Sequence, residues 1–144
     1  MASPTTVKLV LSSEVGLIDL IHTAAQKVAQ LGGFDADDAL NIGLAVREGA
    51  INAIIHGNGS NPALDVNVTL SAGDDGFSAH ITDEGEGFDP AAAPDPTQGA
   101  ALLATSGRGL LLMRAFVDEV IYSRGQTRGM EVTMTKQRTY SSDD

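Results

Sequence analysis

Hydrophobic and polar residues alternate along five segments of the chain, and this pattern predicts β-strands. In chain order the segments read TVKLVL, LDVNVTL, GFSAHITD, DEVIYSR and GMEVTMTK. The sequence SAGDDG joins the second segment to the third, which predicts a β-hairpin, and the last two segments are predicted to form another. The first segment, with Val7, Leu9 and Leu11 on one face, is predicted to be a separate strand.

A helical pattern begins soon after the first strand. Ser12 and Ser13 are candidate N-caps, and Glu14 would lie in the first turn of the helix. The helix is predicted to run to about Leu31 and to end at the Gly32-Gly33 pair.

Two further helices are predicted. The second is expected to begin at Asp35, with Asp38 three positions later as in a capping box, and to reach about His56. The third is expected to open at GRGLLLMRAFV, directly from a pair of glycines.

The segment DPAAAPDPTQGAALLATSG is longer than most connections in a compact domain, and such segments are usually lids or disordered. The tail SSDD is expected to fray. The element order is βα, α, ββ, lid, α, ββ. It predicts a single α+β domain over residues 1–144, with one mixed, mainly antiparallel sheet and the helices on one face.

Composition narrows the function classes. A chain of 144 residues suits one domain, and nine basic against nineteen acidic residues give a net charge of −10. This charge argues against a direct nucleic-acid partner but not against a nucleotide, whose phosphates backbone N–H groups and a metal ion can hold. The absence of cysteine excludes disulfides and is compatible with the cytoplasm. No apolar run is long enough to cross a membrane, and no signal peptide is recognisable.

The second helix carries a polar stripe. Glu48, Asn52 and His56 are spaced by four residues and so share one face of a largely apolar helix. A carboxylate and an amide on a buried helix need partners, and their oxygens suit Mg²⁺. The alternative is that the stripe is an ordinary solvated face.

The stretch DEGEGF follows a predicted strand. Asp83 can point inward there, and an ionised carboxylate is an acceptor for an exocyclic amine such as that of adenine. Gly85 and Gly87 would let the backbone approach a ligand closely. The alternative is a tight Asx turn that leaves the sheet.

The stretch SGRGLLLMR places Gly107 and Gly109 at a helix start, where free N–H groups can bind phosphate, and Arg108 would add charge. A helix start that merely contains glycines is the alternative. A P-loop, a complete GxGxxG and the HRD and DFG elements of ordinary protein kinases are absent from the sequence.

Taken in order, these stretches resemble the GHKL ATPase superfamily, which includes gyrase B, MutL and the catalytic domains of histidine kinases. EGAINAIIHGN is similar to its N box, DEGEGF to its G1 box and GRGLLLMRAFVDEV to its G2 box. The match is best with the small bacterial anti-sigma-factor serine kinases of the RsbW type, and it spans nearly the whole chain. The resemblance implies the Bergerat fold, a two-layer sandwich with an ATP lid, here residues 89–106.

The resemblance also implies roles for the candidate residues in binding ATP or ADP with Mg²⁺. Asp83 would accept from the adenine amine, Asn52 would bind Mg²⁺, and Glu48 would be the general base. The glycines would make room for the nucleotide and cradle its phosphates; they are Gly85, Gly87, Gly107 and Gly109, with Arg108 beside them. His56 is expected to be a packing residue. One departure is Met130, where the family often has a Thr near the adenine.

The function implied is a cytoplasmic, ATP-dependent serine/threonine protein kinase that also acts as an anti-sigma factor. It would bind a sigma factor and phosphorylate an anti-anti-sigma protein of the STAS type. Family members dimerise, so SSEVGLIDLIHTAAQKVAQL is a candidate partner or homodimer surface. Two alternatives stay open: a nucleotide-dependent binding switch without kinase activity, and a switch kinase acting on a signalling scaffold. A histidine-kinase catalytic domain is disfavoured, because no helix hairpin with a phosphorylatable His is present.

Overall fold

The computed structural model describes residues 3–85, 109–124 and 128–138. Strand β1 (Thr5–Ser12) leads through a 3₁₀ turn (Val15–Leu17) into helices α1 (Ile18–Leu31) and α2 (Ala36–Ile51), and α2 continues as a π-helical turn (Asn52–Gly57). Strands β2 (Asp65–Gly73) and β3 (Gly76–Thr82) follow, then helix α3 (109–116), and strands β4 (Glu119–Arg124) and β5 (Met130–Lys136). The predicted α+β sandwich is confirmed.

The five strands form one sheet in the order β1-β2-β3-β5-β4. Every pairing between these described strands is antiparallel, whereas the sequence predicted a mixed, mainly antiparallel sheet. Two helices separate β1 from β2, so the chain re-enters the sheet in the opposite direction, and β2–β3 and β4–β5 are hairpins. Strand β5, which runs opposite to β4, is the strand that pairs with β3. One row of paired residues crosses the sheet through Leu9, Val68, Ile81, Val132 and Tyr122.

The core lies between one sheet face and the two long helices. Alternate strand residues are buried on this face, while the intervening positions are polar and partly exposed. Gly49 lets α2 approach the sheet closely, because a Cβ there would lie 2.8 Å from Met134 Cε and 2.9 Å from Ile81 Cδ1. Burying each large aliphatic side chain of this layer contributes about 1.5–3 kcal/mol. The fully buried aliphatic residues include Ile21, Ile42, Val46, Ile54, Val66, Leu70 and Ile81.

The helix ends agree with the sequence at three of four predicted positions. Asp35 caps α2, since its Oδ1 accepts from Asp38 N–H at 2.8 Å. Helix α1 ends at Gly32, and Gly33 has φ +102°. The prediction that Ser12 or Ser13 caps the first helix is wrong. Ser13 Oγ donates instead to the Leu64 carbonyl at 2.8 Å, so a contact distant in sequence takes the hydroxyl that a cap would use.

The second helix ends where the sequence predicts, but its last turn is not α-helical. From Asn52 to Gly57 the hydrogen bonds span five residues, and Asn58 N–H continues this pattern by donating to Ala53 O at 2.9 Å. Such π turns often mark functional sites.

The hairpin between β2 and β3 is tighter than predicted. Strand β2 continues to Gly73, so only Asp74 and Asp75 form the turn, and Gly76 has φ +116°. Part of the candidate chemistry lies outside the described residues: Gly87, Gly107, Arg108 and the expected lid over 89–106, as well as the SSDD tail.

Candidate functional site

Asp83 lies one residue beyond β3, and its side chain points inward as predicted. The residue is 7% exposed, and its N–H donates to Met130 O at 3.0 Å, which extends the pairing of β3 with β5. Carboxylate Oδ1 accepts from Gly85 N–H at 3.0 Å and from Met130 N–H at 3.2 Å. The described residues donate no hydrogen bond to Oδ2, so two backbone N–H groups fix one carboxylate oxygen and the other accepts from none of these residues.

Burial raises the pKa of the Asp83 carboxyl above its ordinary value, and the N–H groups of Gly85 and Met130 oppose this by stabilising the ionised form. A partly desolvated carboxylate with one unused oxygen is well suited to accept from a neutral donor such as an exocyclic amine. Burying a charged oxygen such as Asp83 Oδ2 without any hydrogen-bond donor costs free energy.

Three glycines enclose this carboxylate. A Cβ at Gly57 would collide with Asp83 Oδ2, one at Gly129 with the Asp83 carbonyl, and one at Gly85 with the Gly57 carbonyl. Gly85 was predicted as a glycine that makes room for a ligand; its observed contact is with the end of the π turn. Sequence reasoning missed Gly57 and Gly129, although both flank residues that it had singled out.

Asn52 and Tyr122 face the same small pocket as Asp83. Asn52 is 7% exposed, and its Nδ2 donates to the Tyr122 hydroxyl at 2.8 Å. The pocket is lined by Gly49, Asn52, Ala53, Ile81, Asp83, Tyr122, Met130 and Val132. Met130, the departure noted in the sequence, is therefore a wall of this pocket and offers no hydroxyl to it.

Tyr122 was not predicted as a site residue. The signal available was its position on the inward side of β4, two residues after Val120. Burial raises the pKa of Tyr122 to about 12, the hydrogen bond from Asn52 lowers it, and the charges of Asp83 and Glu48 raise it further. The phenol thus stays neutral at physiological pH and lies within the field of both candidate carboxylates.

Glu48 lies one helical turn before Asn52 and is half-buried. Gly109 packs against it, since a Cβ at Gly109 would lie 3.0 Å from Glu48 Oε2. The structure therefore brings together Glu48 of α2 and the buried glycine of α3, as the sequence stretches suggested. A side chain at position 109 would fill the space beside the carboxylate.

His56, the third member of the polar stripe, lies in the π turn. Both of its ring nitrogens are buried and have no hydrogen-bond partner among the residues described. The expectation that it is a packing residue stays a prediction.

Asn58, also missed by the sequence reasoning, organises the loop that follows Asp83. Its Nδ2 donates to Ser13 Oγ at 2.8 Å and to Asp65 O at 3.0 Å, and its Oδ1 accepts from Glu84 N–H at 2.8 Å. The Glu84 carboxylate in turn accepts from Asp65 N–H. This network, hereafter the Asn58 network, ties the loop to the end of β1 and the start of β2.

Within the ranges 3–85, 109–124 and 128–138, no group of three or more acidic, His or Cys side chains could hold a metal ion. Magnesium bound with a nucleotide needs few protein ligands, because phosphates and waters complete its shell. The Asn52 amide oxygen fits such a role, since it is a hard neutral donor that accepts no hydrogen bond from the described residues. In the same part of the chain, no helix is both long and apolar enough to span a bilayer.

Comparison with known proteins agrees with this geometry. The sequence matches the family described as "Histidine kinase-like ATPase domain" over residues 11–136. It is 25% identical over 136 residues to the serine-protein kinase RsbW of Bacillus velezensis, covering 90% of this chain and 84% of the relative. It is 32% identical over 121 residues to the anti-sigma F factor of Geobacillus stearothermophilus, covering 79% of each.

A solved structure shows the same fold. This chain superposes on part of a solved structure of the RsbU and RsbW domains of a Mycobacterium tuberculosis protein, with a TM-score of 0.64 at 20% identity. The match covers 92% of this chain and 32% of that one. This chain thus corresponds to about a third of that protein. Together, the match over most of the chain and the 32% identical relative show that the chain belongs to the histidine kinase-like ATPase family, in the group that includes the RsbW kinases and the anti-sigma F factors.

Proposed function

We propose that this protein is an ATP-dependent serine/threonine protein kinase that also acts as an anti-sigma factor. The observation that carries the proposal is Asp83, a buried carboxylate with Oδ1 fixed by two backbone N–H groups and Oδ2 left to a ligand. Relatives named serine-protein kinase RsbW and anti-sigma F factor support the two activities.

In this proposal the nucleotide lies between α2, the loop after β3 and α3. Asp83 Oδ2 would accept from the adenine amine, and phosphate binding is assigned to Gly109 together with Gly107 and Arg108. The role assigned to Gly85 and Gly87 is to make room for the nucleotide, because neither carries a side chain. Asn52, with the phosphates, would hold Mg²⁺, which would supply positive charge beside the transferred group.

Glu48 would act as the general base. It lies on the same helix face as Asn52 and beside Gly109, so it is next to the proposed position of the terminal phosphate. There it would take the proton from the attacking serine hydroxyl as the oxygen bonds to phosphorus and the bond to ADP breaks. A protein that only binds nucleotide needs no general base at this position.

We propose three protein contacts: a sigma factor, an anti-anti-sigma protein of the STAS type as phosphate acceptor, and a second copy of this chain. For the homodimer we favour α1 and the edge strand β1. Val10 of β1 is 69% exposed and Leu20 of α1 is 51% exposed. A cytoplasmic location follows from such partners.

The test is calorimetric titration with ADP and Mg²⁺, followed by transfer of labelled phosphate from ATP to a STAS-domain protein of the same organism. Asp83→Asn should lose nucleotide binding, because its amide oxygen would accept from the Gly85 and Met130 N–H groups and its NH2 group would take the place of Oδ2. Asp75→Asn in the exposed hairpin turn is the matched control. Glu48→Gln should bind ADP normally and transfer no phosphate. Normal transfer by Glu48→Gln would refute its role as base, and absence of binding by the natural protein would refute the whole proposal.

A further inference from the structure

The Asn52 carboxamide is held at one end only. Its Nδ2 donates to the Tyr122 hydroxyl at 2.8 Å, and the described residues donate no hydrogen bond to its Oδ1. A carboxamide can exchange its nitrogen and oxygen by half a rotation, and the hydrogen bonds around it decide which arrangement is favoured. What fixes Asn52 therefore lies at Tyr122, seventy residues away in sequence.

The surroundings of Tyr122 favour the observed arrangement. A phenol hydroxyl can either accept or donate, but Glu48 and Asp83 both act electrostatically on this one. Both charges favour the protonated phenol, and its hydroxyl oxygen accepts from Asn52 Nδ2 at 2.8 Å. The amide nitrogen is thereby held at Tyr122, and the amide oxygen is turned away from it.

The strand that carries Tyr122 makes it a firm support. Tyr122 pairs with Val132 of β5 and points to the inward face of β4. Its ring has only two rotatable bonds, and burial in the pocket restricts both.

We propose that Tyr122 is a positioning residue that holds the Asn52 amide with its oxygen directed toward the metal and phosphates of the bound nucleotide. This inference rests on the proposed function, in which Asn52 binds Mg²⁺. It adds a residue from the far edge of the sheet to a site otherwise built from α2, the loop after β3 and α3. Hydrogen bonds of this outer kind orient metal ligands and tune their affinity.

The experiment measures ADP affinity in Mg²⁺ and in EDTA for the natural protein and for Tyr122→Phe, which keeps the ring and removes the hydroxyl. The dissociation constant in EDTA divided by the dissociation constant in Mg²⁺ isolates the metal-dependent part of binding. Freeing one side chain should lower that ratio about three- to tenfold. The affinity in EDTA should stay the same, because the adenine contacts of Asp83 are untouched.

Ser13→Ala is the matched control. It also removes a hydroxyl that accepts from an asparagine Nδ2, that of Asn58, but away from the metal. It should change ADP affinity by the same factor in Mg²⁺ and in EDTA. In an Asn52→Ala background, Tyr122→Phe should no longer alter the ratio, because the amide that it positions is gone.

The outcomes separate this inference from the proposed function. A lowered ratio that disappears in the Asn52→Ala background supports the positioning role. Equal losses in Mg²⁺ and EDTA mean that Tyr122 only stabilises the fold, and an unchanged ratio means that it does not orient Asn52; either overturns the inference while nucleotide binding stands. Absence of ADP binding by the natural protein overturns the proposed function and this inference together.

Discussion

Replacing Asn58 by alanine should loosen the loop that carries Asp83 and Glu84. Asn58 is 4% exposed, and its side chain makes three hydrogen bonds with described residues, to Ser13, Asp65 and Glu84. Each contributes about 0.5–1.5 kcal/mol, and buried groups left without a partner add to the loss. We therefore expect Asn58→Ala to lower the free energy of unfolding by about 2–4 kcal/mol.

The measurement is urea or thermal unfolding, in which a loss of this size lowers the melting temperature by about 7–13 °C for a chain of this length. Asn61→Ala is the matched control, because Asn61 lies in the same loop and is exposed, and among the described residues its side chain bonds to one group, accepting from Ala63 N–H at 3.0 Å. The control should lose less than about 1 kcal/mol. Equal losses in the two variants would refute the structural importance of the Asn58 network.

Two further predictions concern the walls of the pocket. Gly129→Ala should destabilise the protein more than Gly59→Ala in denaturant unfolding. Both glycines have positive φ, at +82° and +62°, so each substitution incurs about 1–2 kcal/mol of backbone strain, but of the two only the Cβ at position 129 would collide with Asp83. Equal losses would contradict the described packing. Because the folded pKa of Asp83 is raised, the folded protein binds more protons than the unfolded chain as pH rises from about 4 through that pKa, so its contribution lowers stability across this window. Asp83→Asn should remove this slope from a series of unfolding curves, and an unchanged slope would contradict the shift.

The elements of the fold were predictable because their signals are local. Alternation of hydrophobic and polar residues indicated all five strands, and the type and position of Asp35 indicated the start of α2. The inward direction of Asp83 followed from its phase relative to the preceding strand. For these features, the side chain, its burial and its neighbours in sequence carry the same information.

The details that failed depend on contacts distant in sequence. Ser13 has the chemistry of a cap, but Leu64 and Asn58 engage its hydroxyl. The partnership of Asn52 with Tyr122 and the enclosure of Asp83 by Gly57 and Gly129 arise only once the sheet has formed. Pattern and spacing fix which face a residue occupies, but they do not determine which side chain it meets there.

The π turn at the end of α2 has a consequence for anyone who would stabilise this protein. Segments of this kind are intrinsically more stable as regular α-helix, so contacts with other parts of the chain must maintain the wider turn. Among them are the hydrogen bonds from Asn52 to Tyr122 and from Asn58 to Ser13. Substituting strong helix formers here would favour regular winding at the same chain length and rotate the residues that follow by about 100°. A substitution that makes this segment a more regular helix would therefore displace the residues that line the pocket.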